Sequence, residues 1–221
     1  MGLEPRGLMQ SRFASYLAAA GFVLAFGAGS RPAQASLQAP LPATPQTIAV
    51  YASVLHHYNP QLPTWQSKDL ARRVLVNAER WRLDANMLVA IVSVESSWHT
   101  HAVSRAGAIG LGQLMPGTAA RLGVNPRNPA ENLSGAARYL SGLVQRFGTH
   151  YSLVFAAYNA GPKAVMEYGG IPPYYETEHY VVSVLDAWHH LSRTVRVPAD
   201  ALAFARGTDL DYWLDGSEST P

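Results

Sequence analysis

The chain has 221 residues, enough for one domain or two small ones. Hydrophobic residues make up 48% and charged residues 14%, which supports a core and excludes a mostly disordered chain. Lys+Arg total 17 and Asp+Glu 15, so a net charge of +2 offers no single-sign field for nucleic acid or an anionic membrane, and the absence of cysteine excludes disulfides, thiolate zinc sites, thiol catalysis and a lipidated cysteine anchor.

Residues 1–35 read as an export signal. Arg6 and Arg12 give a basic start, Phe13 to Gly29 is an apolar run, and Ala33-Gln34-Ala35 supplies small residues at the cleavage spacing. The run is too short and too rich in Gly and Ala for a comfortable membrane span. Membrane contact is therefore expected only if this segment is retained. Cleavage before Ser36 removes Arg6, Arg12, Arg31 and Glu4 and leaves 14 basic and 14 acidic residues. The mature protein is expected in the periplasm or elsewhere in the cell envelope, as a monomer.

Residues 36–64 form a proline-rich spacer followed by a short helix. Pro40, Pro42 and Pro45 stiffen the spacer. The helix is expected over 46–58, with Ile48, Tyr51 and Leu55 on one side, closed by Pro60 and Pro63.

Residues 65–196 read as one all-helical domain. Ser67 is placed to cap a helix in which Leu70, Val74, Ala78 and Trp81 recur at helical spacing. Asp84 is placed to cap the next, from Ala85 to about Ser97, with Leu88, Ile91 and Val92 as its apolar face. Residues 106–117 form a Gly-rich loop ending in proline. Asn128-Pro129 is a helix start, a capping side chain followed by proline at the first position, and Glu131 stands where a capping box places it. Leu133, Ala137, Leu140, Val144 and Phe147 share one face of that helix, and Gly148 is placed to end it. Helices are expected again over 152–160 and 175–191, the last with Tyr180, Val184, Trp188 and Leu191 inward. No segment alternates at period two over a strand's length, so the fold class is all-α. Residues 197–221 carry Asp200, Asp209, Asp211, Asp215 and Glu218 against Arg206 alone. This acidic tail is expected to be peripheral, with Tyr212-Trp213-Leu214 as its one docking point.

Glu95 stands out chemically. It follows Leu88 and Ile91 at i+7 and i+4, on the face they share. A carboxylate on an apolar stripe is costly to ionise, so burial raises its pKa towards the range of a general acid near neutral pH. Trp98, one turn on, is placed to wall such a site. The Gly-rich loop that follows is not a dinucleotide loop, because its spacing is Gly-x-x-Gly-x-Gly and no strand precedes it, nor a phosphate loop, because Gly-Lys-Ser/Thr is missing. His99 and His101 flank Glu95 without a third ligand at metal spacing, so no metal and no other cofactor is expected. His56-His57 and His189-His190 read as surface pairs near helix ends. Tyrosines are dense in the C-terminal half; Tyr158 and Tyr180 are the ones weighed for a cleft.

Three ordered motifs carry a resemblance. Glu95-Ser96-Ser97-Trp98, Ala102-Val103-Ser104, Gly107-Ala108-Ile109-Gly110-Leu111-Gly112-Gln113-Leu114-Met115-Pro116 and Thr118-Ala119 make the first. Ala157-Tyr158-Asn159-Ala160-Gly161-Pro162 makes the second. Gly170-Ile171-Pro172-Pro173-Tyr174-Tyr175-Glu176-Thr177 with Tyr180-Val181 makes the third. Over about residues 85–185 the chain resembles the soluble lytic transglycosylase family. Gly112 stands where many members carry Met, a departure expected to be tolerated by the loop.

The resemblance implies a lysozyme-like helical domain with a cleft for a glycan strand. It also implies cleavage of the bond between N-acetylmuramic acid and N-acetylglucosamine in peptidoglycan. Glu95 then matches the single catalytic acid/base. Ser104, Gln113 and Met115 match cleft-lining positions, Tyr158 and Asn159 match positions that close on the Glu and the sugar, and Glu176 and Tyr180 match the motif supporting the far side.

The residues themselves add one point. Ordinary glycosidases place two carboxylates about the scissile bond, whereas the next acid downstream of Glu95 is Glu131. A one-carboxylate site works if the substrate's acetamido group and C6 hydroxyl replace the second. Glu176 stays open as a group the fold could bring near. The alternatives are a muramidase that hydrolyses the same bond with water, and a non-catalytic peptidoglycan-binding module.

Overall fold

Four prolines, Pro45, Pro116, Pro129 and Pro162, each begin a helix. There the missing N–H had no intrahelical partner to lose and the fixed φ suits the first turn. The computed structural model describes residue 41 and residues 43–196. Eight helices follow in order: α1 (Pro45–Tyr58), α2 (Thr64–Trp81), α3 (Ala85–Ser96), α4 (Pro116–Leu122), α5 (Pro129–Phe147), α6 (Tyr151–Ala160), α7 (Pro162–Tyr168) and α8 (Tyr175–Thr194). Among the described residues there is no strand, only isolated antiparallel bridges from Ile109 to Val103 and to Leu114. The all-α reading holds. The expected export segment over 1–35 and the acidic tail over 197–221 lie outside the described residues.

Caps confirm some expected boundaries and move others. Asp84 accepts from the Asn86 amide at 2.7 Å, and Asn128 Oδ1 accepts from the amides of Ala130 and Glu131. Ser67 is no cap. The helix starts at Thr64, and the Ser67 hydroxyl donates to the Thr64 carbonyl from inside its first turn. Glu131 does not close a capping box on Asn128 either; its carboxylate reaches past the cap and accepts from the Asn125 amide at 2.8 Å. The short helices α4 and α7 were absent from the sequence reading.

The core gathers around α3, which packs against α2 and α8, while α6 packs against α5 and α8. From Ala85 to Ser93 every residue of α3 is buried, so this helix is enclosed on all sides and not only along Leu88, Ile91 and Val92. Trp188 of α8 closes the core from below. Its ring meets Phe155 and Tyr151 edge-on, and its Nε1 donates to Asp84 at 2.9 Å. One carboxylate thus caps α3 and ties it to α8. The same hydrophobic cluster takes in Tyr51 and Leu55 of α1, and the Tyr51 hydroxyl donates to Asn86 at 2.8 Å. The packed unit therefore begins upstream of Trp65, the expected start, because α1 supplies two fully buried side chains to it.

Candidate active site

The last turn of α3 emerges from the core at the floor of a cleft, and Glu95 sits there, half-buried. The chain then reverses through two consecutive left-handed residues without glycine, Ser97 at φ 47 and Trp98 at φ 63. Such backbone costs on the order of 1–3 kcal/mol per residue and persists only where neighbours over-determine it. Here they do. The Trp98 side chain is fully buried, its Nε1 donates to Ser93 Oγ at 2.9 Å, and its carbonyl accepts from Asn59 Nδ2 at 3.2 Å. Trp98 walls the cleft as expected, and it also anchors the end of the helix that carries Glu95.

Burial pushes the Glu95 carboxyl up from its ordinary 4.5 to about 8. The Tyr180 hydroxyl, donating to Glu95 Oε1 at 2.7 Å, opposes that shift by stabilising the carboxylate, and the nearby Glu176 charge adds a further upward push. Glu95 is therefore mostly protonated at neutral pH. The Tyr180 hydroxyl is itself held well above the ordinary phenol range, first by burial and then by the Glu95 charge.

Opposite Glu95, the Gly-rich loop is held by bonds to its own backbone and to α5. Gly110, at φ 76, donates its amide to the Ala102 carbonyl at 2.8 Å. Gln113, at φ 45, turns its side chain inward, and Nε2 donates to the carbonyls of Gly110 at 2.8 Å and Ala102 at 3.3 Å. Ser104 Oγ accepts from the Ala108 amide at 3.0 Å. Asn132, fully buried on α5, donates to the carbonyls of Ile109 and Pro126 and accepts from the Gly112 amide. The Tyr158 hydroxyl donates to the Gly112 carbonyl at 2.9 Å. A Cβ on Gly112 would lie 2.4 Å from the Ala136 Cβ and 3.0 Å from the Tyr158 hydroxyl. The loop accommodates glycine as expected, and it packs so closely on α5 that position 112 has no room for a side chain.

The cleft encloses about 1290 Å³. It brings Glu95, Ser104, Gln113, Met115, Tyr158, Asn159 and Glu176 to one lining surface. Tyr180 reaches Glu95 from α8 while its own side chain is buried. Asn159 accepts from the Thr177 hydroxyl at 2.7 Å, which joins the end of α6 to the start of α8. Met115, 41% exposed, precedes α4 at the rim. His99 and His101 also line the cleft. Tyr168, Tyr174 and Tyr175 stand on the exposed surface instead, and Tyr151 packs on Trp188.

Two contributors were missed by the sequence reading. Tyr139 lines the cleft from α5, its ring 5.2 Å from that of Tyr158. Its signal was its place on α5, three residues after Ala136 on the side that meets the loop. Asn132 had no local signal, because its partners lie 6, 20 and 23 residues away.

Comparisons with known proteins bear on this geometry. The family model described as Transglycosylase SLT domain matches residues 73–181. A transglycosylase of Enterobacteria phage PRD1 is 37% identical over 83 residues, covering 37% of this chain and 31% of the phage protein. Membrane-bound lytic murein transglycosylase C of Glaesserella parasuis is 31% identical over 109 residues, covering 40% of this chain and 30% of that protein. Lytic transglycosylase Slt from Pseudomonas aeruginosa, solved as an inactive mutant, shares the fold with a TM-score of 0.53 at 24% identity, covering 68% of this chain and 31% of that one. The chain thus spans about three tenths of the length of these relatives.

Proposed function

The chain carries a transglycosylase SLT domain, and from that premise we propose that it is a peptidoglycan lytic transglycosylase with Glu95 as its single general acid/base. The observation that carries this reading is the half-buried Glu95 at the cleft floor, held by Tyr180 at 2.7 Å and protonated near neutral pH. A protonated carboxyl in that place can give its proton to the glycosidic oxygen between N-acetylmuramic acid and N-acetylglucosamine. The acetamido oxygen of the muramic acid attacks C1 as the leaving oxygen departs. The Glu95 carboxylate then takes the proton of the C6 hydroxyl, whose oxygen attacks C1 and displaces the acetamido oxygen. A 1,6-anhydro ring forms, Glu95 is protonated again, and no water is consumed. Tyr180 steadies the carboxylate between the two steps. Tethering of the C6 hydroxyl to the reacting sugar favours it over free water, since effective molarities in well-oriented systems reach about 10⁵–10⁸ M.

The second reading is hydrolysis, and Glu176 is the observation that favours it. It lines the same cleft, and its charge reaches Glu95, so it is the group that could hold an attacking water as a base. A pocket for binding alone has no need of a desolvated acid, which weighs against a non-catalytic module. The test is turnover of purified sacculi. Glu95→Gln keeps the shape and the Tyr180 contact but cannot donate an acid proton. Its rate should fall at least about 10⁴-fold, because general acid/base help of about 10²–10⁴ serves both steps. Near-normal turnover would remove Glu95 from the role.

Residues 1–35 direct export in this proposal, and the working place is the cell envelope, where the substrate lies. The basic start, the apolar run and Ala33-Gln34-Ala35 support it. N-terminal sequencing of exported protein should begin at Ser36; a retained Met1 in the membrane fraction would make the segment an anchor.

A further inference from the structure

Between the end of α3 and the Gly-rich loop, exposure alternates along the chain. His101, Val103 and Arg105 are exposed, while Ala102 and Ser104 are half-buried. The cause is the antiparallel bridge between Val103 and Ile109. Two bonds close it: the Ser104 amide donates to the Ala108 carbonyl at 2.9 Å, and the Gly110 amide donates to the Ala102 carbonyl at 2.8 Å. In extended backbone, residues i, i+2 and i+4 share a side. His101, Val103 and Arg105 therefore present an imidazole, an apolar side chain and a guanidinium in one strip. All three line the cleft, and among the described residues Arg105 is the only Lys or Arg that does so. Among the described residues neither Arg105 nor His101 makes a hydrogen bond or an ion pair.

We propose that this strip binds a carboxylate carried by the muramic acid side group, and that it sets the preference of the cleft among glycan strands. The inference rests on the proposed function. N-acetylglucosamine is neutral and gives a guanidinium nothing to pair with. Muramic acid differs from it by a lactyl ether. The lactyl carboxyl is either free or joined to a stem peptide that brings carboxylates of its own. Arg105 can meet such a carboxylate with two parallel N–H donors. His101 adds a ring N–H, which either tautomer supplies, and Val103 offers apolar contact to the lactyl methyl. The bonds at Ala102 and Ser104 fix the backbone of the strip, so little freedom is lost when a ligand is held there. A polyanion fits poorly, because Glu176 and Asp186 line the same cleft and would repel it. One carboxylate on each muramic acid is matched by one guanidinium.

The experiment uses the full chain carrying Glu95→Gln, with and without His101→Gln and Arg105→Gln together. Binding is measured to three peptidoglycan strands of equal length: one with stem peptides, one with the peptides removed so that the lactyl carboxylates are free, and one with those free carboxylates converted to methylamides. The same preference is read as kcat/KM in the chain that keeps Glu95, so weak binding leaves the test intact. At low salt a carboxylate-bearing strand should be preferred to the methylamide strand about 5-fold. The double substitution should remove that preference, and Arg105→Lys alone should keep part of it. Salt at about 1 M should weaken it in the protein with both residues intact. Preference for the peptide-free carboxylate strand assigns the strip to the lactyl group, and preference confined to strands with stem peptides assigns it to the peptide's carboxylates; either supports the proposal. Equal affinity for all three strands, or a preference that survives the double substitution, would overturn the strip and leave the proposed function standing. Absence of strand binding, together with absence of turnover of sacculi by the unmodified chain, would overturn both.

Discussion

Replacing Glu95 with Gln should stabilise the protein by an amount that grows with pH. In the unfolded chain the carboxyl ionises above its ordinary value of 4.5, and in the folded protein only above about 8. Between those values the folded state keeps a proton that the unfolded state has released, so stability contributed by this group falls as pH rises through the window and levels off above it. At about 1.4 kcal/mol per pH unit, the loss at pH 7 is about 3 kcal/mol, brought to about 2–3 by water that reaches the carboxyl through the cleft. Glutamine has no such dependence and still accepts from Tyr180. For a chain of this size each kcal/mol moves the melting temperature roughly 2–4 °C. The variant should therefore gain roughly 5–10 °C on the unmodified protein between pH 4 and pH 7, with little further gain above pH 8. Paired thermal melts across pH 4 to 9 measure it. A difference that stays flat across that range would refute the raised pKa, and with it the claim that Glu95 is protonated at neutral pH.

Tyr180→Phe removes a bond that favours the carboxylate, so the Glu95 pKa should rise; the alkaline fall in activity, expected near pH 8 in the unmodified enzyme, should move upward while the rate drops about 10-fold, and an unmoved limb in the pH–rate profile would contradict this. Gly112→Ala forces a Cβ into 2.4 Å contact with Ala136 and should cost about 1–3 kcal/mol of stability; an unchanged melting temperature would show that the loop and α5 can part freely. A chain ending near Ala199 should keep its specific activity, because the acidic tail lies beyond the matched domain; loss of activity or folding would mean that Tyr212-Trp213-Leu214 dock on the helices.

What the sequence could tell depended on how local each determinant is. The Asp84 cap, the Asn128-Pro129 start and the inward face of α8 are set within a turn or two of their own residues, and they were read correctly. The helices α4 and α7 were missed because seven residues give too few turns for a periodic apolar stripe. Their marks were Pro116 and Pro162 at the first position and Gly123 and Gly169, left-handed, just past the last. The reasoning that singles out Glu95 from the sequence is only partly right. Its pKa rises from burial, but α3 is buried all round, so the carboxyl is set apart by where the helix ends and not by an apolar stripe. The approach of Glu176 and the Asn132 tether join segments far apart in the chain, and local spacing holds no record of them.

The most direct test of the proposed chemistry is the mass of the products. Peptidoglycan is incubated with the purified protein in ¹⁸O-labelled water, and the released muropeptides are weighed. A lytic transglycosylase with Glu95 as its single acid/base gives 1,6-anhydromuramoyl ends, lighter than hydrolysis products by one water and free of label. Labelled reducing ends would contradict that account, favour hydrolysis and make Glu176 the next residue to substitute.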